Sequence, residues 1–527
     1  MKRLRAGVGT LALLMIAGAT AGAQPTTPAA HDDPLLRLTE QGFVRGEIDA
    51  RENMLAFRGI PYAAPPIGTH RFAPPTPPAA WDNVRAATAF GPDCAQPGGA
   101  LGTASTEEDC LYLNVFAPTK GDNHPVMVWI HGGAFTSGSG TPYSPPRLVA
   151  EDMVVVTLNY RLGAFGFLAH PALSEEQNGR SGGYGLLDQK QALAWVQENI
   201  EAFGGDPTNV TLFGESAGGQ SILALMSSPL TEGLFHKAII MSGSVAPNQQ
   251  SLADAERLGR EAFKDCDIEC LRTLATEDVL ERQAGLIEGI GILINYGTKL
   301  QPERSIAAAL KEGRFLPVPT LIGSNLDEFT LFVGVNALAG ETPPPAAAYR
   351  DAIGNLIDRR SWGLAVRAIA RAYPLAEYDD NVWQALSAIG TDAVFACNAL
   401  MQTQQLAEHV PTYAYQFTDR DAPLAVLPER PAGLALGAAH AFELPYLFGQ
   451  REAFRARGAD DSQLALSERM IRYWTSFARN GDPNYEDGPV WPSFVDTERL
   501  LHLDPAIAIA IPSEDFFNNH HCRIWSR

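Results

Sequence analysis

FGESAGG, residues 213–219, sets one serine between two glycines, directly after the apolar run NVTLF (209–213) and before SAGGQSILALMSS (216–228), whose apolar spacing suits a helix. Strand, sharp turn and helix in that order form a nucleophile elbow, which predicts an α/β fold with a mostly parallel sheet. In so tight a turn, side chains two residues before and after the serine would collide, so Gly214 and Gly218 are required. The turn leaves the Ser216 hydroxyl exposed, and the next helix aims its positive end at it. A GxSxG pattern alone recurs by chance in long Gly-rich chains. The reading therefore depends on three further parts: an oxyanion hole, a general base and an acid, the last two following the serine in chain order.

PVMVWIHGGAFTSGSG (125–140) supplies an apolar strand running into His131, Gly132 and Gly133. Glycines let backbone N–H groups approach a substrate oxygen. The N–H groups of Gly132, Gly133 and Ala217 are expected to cradle the oxyanion, each worth roughly 3 kcal/mol of barrier. The histidines after Ser216 are His236, His409, His440, His502, His520 and His521. His440, in LGAAHAFELPYLFG (436–449), has small neighbours that give an imidazole room over the serine. His236 falls too soon after the elbow, and His520 and His521 sit in the terminal segment beside Cys522; these read as surface or structural. The acid comes from PVPTLIGSNLDEFTLF (317–332), a buried strand, PTLIGS, ending in the adjacent carboxylates Asp327 and Glu328. The residues alone leave both acids open.

These motifs resemble the type-B carboxylesterases, the cholinesterase-like branch of the α/β-hydrolases, over nearly the whole chain. The matching blocks are FRGIPYAAPPIGTHRFAPP (57–75), EDCLYLNVFAP (108–118), WIHGGAF (129–135), NYRLGAFGFL (159–168), residues 182–219, GSNLDEF (323–329) and HAFELPYLFG (440–449). The resemblance implies an α/β-hydrolase fold with elaborated N-terminal and pocket-forming insertions, and a triad of Ser216, Glu328 and His440. Two departures stand out: Phe329 where the family usually has Gly after the acid, and Ala441 where Gly often follows the histidine. It also implies three disulfides, Cys94 with Cys110, Cys266 with Cys270 and Cys397 with Cys522. In the chain-entropy account the last restrains the unfolded chain by about 5 kcal/mol and the first by about 3.

Length and composition agree: 527 residues, 46% hydrophobic, with no internal repeat, read as one domain over 24–527. The first 23 residues read as a signal peptide, with Lys2, Arg3 and Arg5, then GTLALLMIAGATAGA, and Ala21 and Ala23 fitting the cleavage rule. The expectation is export to periplasm or medium, with no stable membrane anchor. Removing that leader takes the formal charge from −20 to −23. Nucleic acid is not an expected partner, whereas a small-molecule ester is. Neither metal nor cofactor is required for acyl transfer of this kind, and the sequence leaves oligomeric state open.

The expected function is serine carboxylesterase action on neutral, mostly apolar esters through an acyl-enzyme, rising with pH about a midpoint near neutrality as His440 loses its proton. Amide, carbamate or polyester hydrolysis would use the same triad. A non-catalytic binding protein on this fold is the rival from another class, and retention of Ser216, Glu328 and His440 speaks against it. AQPGGALGTASTEED, between Cys94 and Cys110, lacks the aromatic residue on which cholinesterases seat a quaternary ammonium, so choline specificity is not expected, although Trp383 or Phe329 would be possible substitutes. Residues 285–297 and 331–345, apolar and Gly-rich, read either as pocket walls or as core packing.

Overall fold

Most of the strands among the described residues that form the large sheet are buried along both faces, and that pattern belongs to a largely parallel sheet covered on both sides. The structure, a computed structural model, describes residues 33–99, 102–243, 249–288, 291–301, 303–357, 365–424, 426–506 and 508–526. The leader expected over 1–23 lies outside them. The unit Leu35–Arg527 is built on an eleven-stranded sheet. In chain order its strands are β1 Glu47–Asp49, β2 Met54–Pro61, β3 Tyr112–Pro118, β4 His124–Ile130, β5 Val154–Leu158, β6 Gly205–Glu215, β7 Lys237–Met241, β8 Thr320–Asn325, β9 Thr412–Phe417, β10 Arg499–Leu503 and β11 Ile509–Pro512. In space they run β11-β10-β9-β8-β7-β6-β4-β5-β3-β2-β1. From β5 to β10 every neighbouring pair is parallel, and antiparallel strands finish both edges.

Alternation along each strand divides the core in two. Val126, Val128 and Ile130 of β4 join Val154 and Val156 of β5 and Ile240 of β7 on one face. Met127 and Trp129 join Val155, Ile239 and Met241 on the other. The first face is covered by helices Tyr184–Asn199 and Ala217–Met226, and the second by Leu444–Phe448 and Asp461–Asn480. The last of these is the longest of the four. It starts with a reciprocal capping box between Asp460 and Gln463 and stops at Gly481, φ 76°.

The order β6-β4-β5 places a reversal between β4 and β6: the chain leaves β4 toward one edge and leaves β6 toward the other. The loops after these two strands therefore diverge and open a crevice at the carboxyl ends of the sheet. The three disulfides join Cys94 to Cys110, Cys266 to Cys270 and Cys397 to Cys522. No helix among the described residues is long and apolar enough to cross a membrane.

Candidate active site

Ser216 sits at that crevice, between the end of β6 and helix Ala217–Met226, at φ 56° and ψ −122°. A non-glycine residue holds so unfavourable a conformation only when its surroundings enforce it. Here its N–H donates to Met241 O of β7 at 2.9 Å. A Cβ on Gly218 would stand 1.9 Å from Ile130 O, and one on Gly214 would stand 2.7 Å from the same oxygen and 2.8 Å from Gly218 C. The two glycines are thus demanded less by each other than by the end of β4 passing over both.

The loop after β4 runs over the serine. A Cβ on Gly132 would lie 3.0 Å from Ser216 Cβ. Gly133, Ala134 and Phe135 follow at φ 108°, 55° and 60°, and Gly133 O accepts from the N–H groups of Thr136 and Ser137, both at 3.0 Å. His131 is fully buried, stacked on Tyr160 at 4.4 Å. Its Nδ1 donates to Gly132 O at 2.8 Å, since a carbonyl only accepts. Burial pushes its pKa down to about 4, so it is neutral and shapes backbone rather than carrying charge. Gln96, in the loop closed by Cys94–Cys110, braces the far side by accepting from Gly138 N at 2.7 Å and donating to Gly138 O at 3.1 Å.

Glu328 and His440 meet on the other side. Glu328 Oε2 is 2.6 Å from His440 Nδ1, while Oε1 accepts the Asn325 N–H at 2.7 Å. Glu328 is fully buried and His440 is 4% exposed. Asp327, the other acid of the pair, points away to Arg420 and the backbone of Ala438. The second ring nitrogen, Nε2, lies 3.0 Å from Glu215 Oε1. That approach lacks hydrogen-bond alignment, leaving Nε2 and Oε1 without a partner in the protein. The contact is electrostatic, and Nε2 stays uncommitted. A third buried carboxyl, Glu443, accepts from Asn325 Nδ2 at 2.5 Å. The aromatic rings of Phe332 and Phe395 flank the imidazole at 5.2 and 4.8 Å.

Three carboxyls around one imidazole in a dry pocket cannot all ionise. Burial pushes Glu215 up to about 7, against the pull of His440. Burial, with Glu215 and Glu328 nearby, pushes Glu443 up to about 8. Burial alone would lower His440, but Glu215, then Glu328 and Glu443, outweigh it and raise the imidazole to about 9. Glu215 and Glu443, neither singled out from the sequence, thus stand beside the ring and hold it above its ordinary value.

Ser216, His440, Glu215 and the loop 132–134 line a cavity of about 510 Å³ together with apolar Tyr143, Leu331, Phe332, Leu444, Phe448 and Phe454 and polar Ser144, Gln450 and Arg457. Of the two segments weighed as walls, helix Thr330–Leu338 contributes Leu331 and Phe332. The described part of 285–297 instead backs the loop after β4, with Ile292 N donating to Ala134 O at 3.2 Å. Phe329 and Trp383 are buried behind the cavity, Phe329 filling the space a Cβ on Gly390 would need. His236 and His520 have structural partners, Val210 N and Asp392. Glu215, Glu443, Asn325, Tyr143 and Phe395 were not singled out from the sequence. Glu215 lay within the elbow motif at a position read as variable.

The family model for the carboxylesterase family matches residues 33–525. Para-nitrobenzyl esterase of Bacillus subtilis (strain 168) is 36% identical over 493 residues, covering 89% of this chain and 95% of that protein. Fumonisin B1 esterase of Sphingopyxis macrogoltabida is 35% identical over 520 residues, covering 93% and 89%. A solved structure of PNB esterase superposes with a TM-score of 0.76 at 33% identity, over 92% of this chain and 99% of that one.

Proposed function

We propose a reaction from one premise: this chain belongs to the carboxylesterase family and is a carboxylic ester hydrolase. In our reading Ser216 is the nucleophile, His440 the base and Glu328 the acid that orients it. Ser216 Oγ attacks the ester carbonyl carbon while His440 Nε2 takes the hydroxyl proton. Glu328 holds Nδ1–H and steadies the imidazolium. The carbonyl oxygen becomes an oxyanion facing the N–H groups of Gly132, Gly133 and Ala217. As the C–O bond breaks, the imidazolium gives its proton to the departing alkoxide and the alcohol leaves. Water, deprotonated by the same imidazole, then attacks the acyl-enzyme, and the acid departs as Ser216 recovers its proton. The sum is ester plus water to acid plus alcohol.

The observation that carries this reading is the 2.6 Å contact of Glu328 with His440 at the cavity that Ser216 enters from a strained elbow. The predominantly apolar walls support a preference for neutral, mostly apolar substrates, since a charged group would lose its hydration against them. Three disulfides support an oxidising compartment and hence export after loss of a leader; amino-terminal sequencing of the protein recovered outside the cytoplasm, expected to start at Gln24, checks it. The function test is hydrolysis of p-nitrophenyl esters from acetate to palmitate by wild type and Ser216→Ala. A loss on the order of 10⁶-fold in kcat is expected, and a variant within tenfold of wild type would remove Ser216 from the reaction.

A further inference from the structure

Asp327 and Glu328 entered as interchangeable acids, and the geometry separates them. The loop 436–440, which carries His440, belongs to no strand and no helix. Its backbone groups need partners elsewhere, and residue after residue finds them on the segment that carries the acid. Thr330 Oγ1 donates to Leu436 O at 2.6 Å, and Asn325 Nδ2 donates to Ala439 O at 2.7 Å. His440 N donates to Glu328 O at 3.3 Å. Asp327 makes the central pair: its N–H donates to Ala438 O and its Oδ2 accepts from Ala438 N, each at 3.0 Å. The loop passes so close over this carboxylate that a Cβ on Gly437, at φ 61°, would stand 2.3 Å from Oδ2. From a third segment, just past β9, Arg420 forks onto Asp327, Nε to Oδ2 at 2.9 Å and Nη2 to Oδ1 at 3.1 Å.

We propose that Asp327 is a positioning residue for the base: its carboxylate fixes the backbone at Ala438, two residues before His440, so that the imidazole meets Glu328 on one side and Ser216 on the other. The proposal rests on the reading of Glu328 and His440 as acid and base. The adjacent acids divide one task, Asp327 holding the main chain of the histidine loop and Glu328 holding the ring. Arg420 keeps the carboxylate aimed. Its side chain is 64% exposed against 16% for Asp327, so this arm of the clamp weakens with salt while the Ala438 hydrogen bond does not. Tight placement matters because a displacement of about 1 Å at the reacting groups can lower a rate about 100-fold.

The test compares wild type, Asp327→Ala, Asp327→Asn and His440→Ala by kcat, KM, the pH profile of kcat/KM and thermal midpoint on one short-chain p-nitrophenyl ester. Asp327→Ala is expected to lower kcat by about 30-fold or more with KM within about threefold, since the cavity walls are untouched. It should also move the acid limb to lower pH. A ring displaced from Glu328 loses one of the carboxylates that hold its proton, with Glu215 and Glu443 remaining. Asp327→Asn keeps an oxygen for Ala438 N–H and is expected to recover most of the rate. Asp327→Ala with kcat within about threefold of wild type, beside an inactive His440→Ala, overturns the clamp. Equal losses in the Ala and Asn variants with an unmoved pH profile overturn it as well. An active His440→Ala overturns the underlying acid-base reading instead. If Asp327→Ala does not fold, Thr330→Val, which removes the neighbouring tie to Leu436, decides: a several-fold fall in kcat supports the clamp, and an unchanged kcat overturns it.

Discussion

Replacing Glu215 with glutamine isolates the electrostatics of the base. Glu215 Oε1 lies 3.0 Å from His440 Nε2, and both side chains are 4% exposed, so little water screens the pair. With charge centres about 4 Å apart and an effective dielectric constant near 20, their attraction is about 4 kcal/mol, a ceiling of about 3 pH units at roughly 1.4 kcal/mol per unit. Glu328 and Glu443 remain in the variant and the site stays dry, so the realised shift is smaller, roughly one to two units. The direction follows from which form works. The carboxylate stabilises the imidazolium, which cannot accept the serine proton; removing the carboxylate's charge frees the neutral base at lower pH. Wild type should therefore show an acid limb of kcat/KM centred above neutrality, as the raised His440 pKa of about 9 requires. Glu215→Gln should show the limb displaced downward. Burial holds Glu215 above the usual carboxylate range, so the wild-type limb should spread over two coupled protonations and the variant's should approach one. A pH-stat assay on a short-chain alkyl ester from pH 5 to 10 measures both. Coincident limbs, within about 0.3 unit, would refute the claim that Glu215 holds the proton on His440.

Three other outcomes follow from the same geometry. Gly218→Ala would set a methyl 1.9 Å from Ile130 O on a strand that cannot yield without moving the loop above Ser216; we expect at least about 3 kcal/mol of destabilisation, and a melting curve matching wild type with full activity would contradict this. Replacing Cys397 and Cys522 together with serine opens a ring of sequence separation 125 and should lower unfolding free energy by about 5 kcal/mol in the chain-entropy account, read from urea midpoints under oxidising conditions. Butyrylcholine should be hydrolysed no faster than its uncharged carbon isostere, because the described part of the Cys94–Cys110 loop holds no aromatic side chain and Trp383 is buried away from the cavity; a tenfold preference for the cation would count against that.

What the sequence disclosed was what short-range physics determines. The elbow could be read because strand, turn and helix are contiguous, and the buried strand before Gly132 because an apolar run of that length has few alternatives. The structure lengthens the strand into Ser216 from NVTLF to Gly205–Glu215 and starts the following helix at Ala217. Choosing between Asp327 and Glu328 was beyond local pattern, since neighbours on a loop point to opposite sides only once Ala438 and Arg420 have arrived. Glu215 stood in plain view inside FGESAGG, but its importance comes from His440, hundreds of residues later. Phe395 presents itself to the imidazole from the π-helical turn Thr391–Ala396, a local irregularity that no periodicity announces. The aliphatic walls of the cavity were ambiguous for the same reason: Leu331 and Ile292 are equally apolar, and only tertiary placement gives one to the substrate and the other to the scaffold.

The ring closed by Cys397 and Cys522 also divides the candidate site. Ser216, the loop above it and the carboxylates Asp327 and Glu328 all lie outside that ring in sequence, whereas His440 lies inside it. Strand β9, which flanks the acid's strand, gains its outer neighbour β10 only from residues 499–503. Both of these strands lie between Cys397 and Cys522, as does His440. Reducing that bond alone is therefore expected to loosen the part of the chain that carries His440 and to leave Ser216 in its elbow.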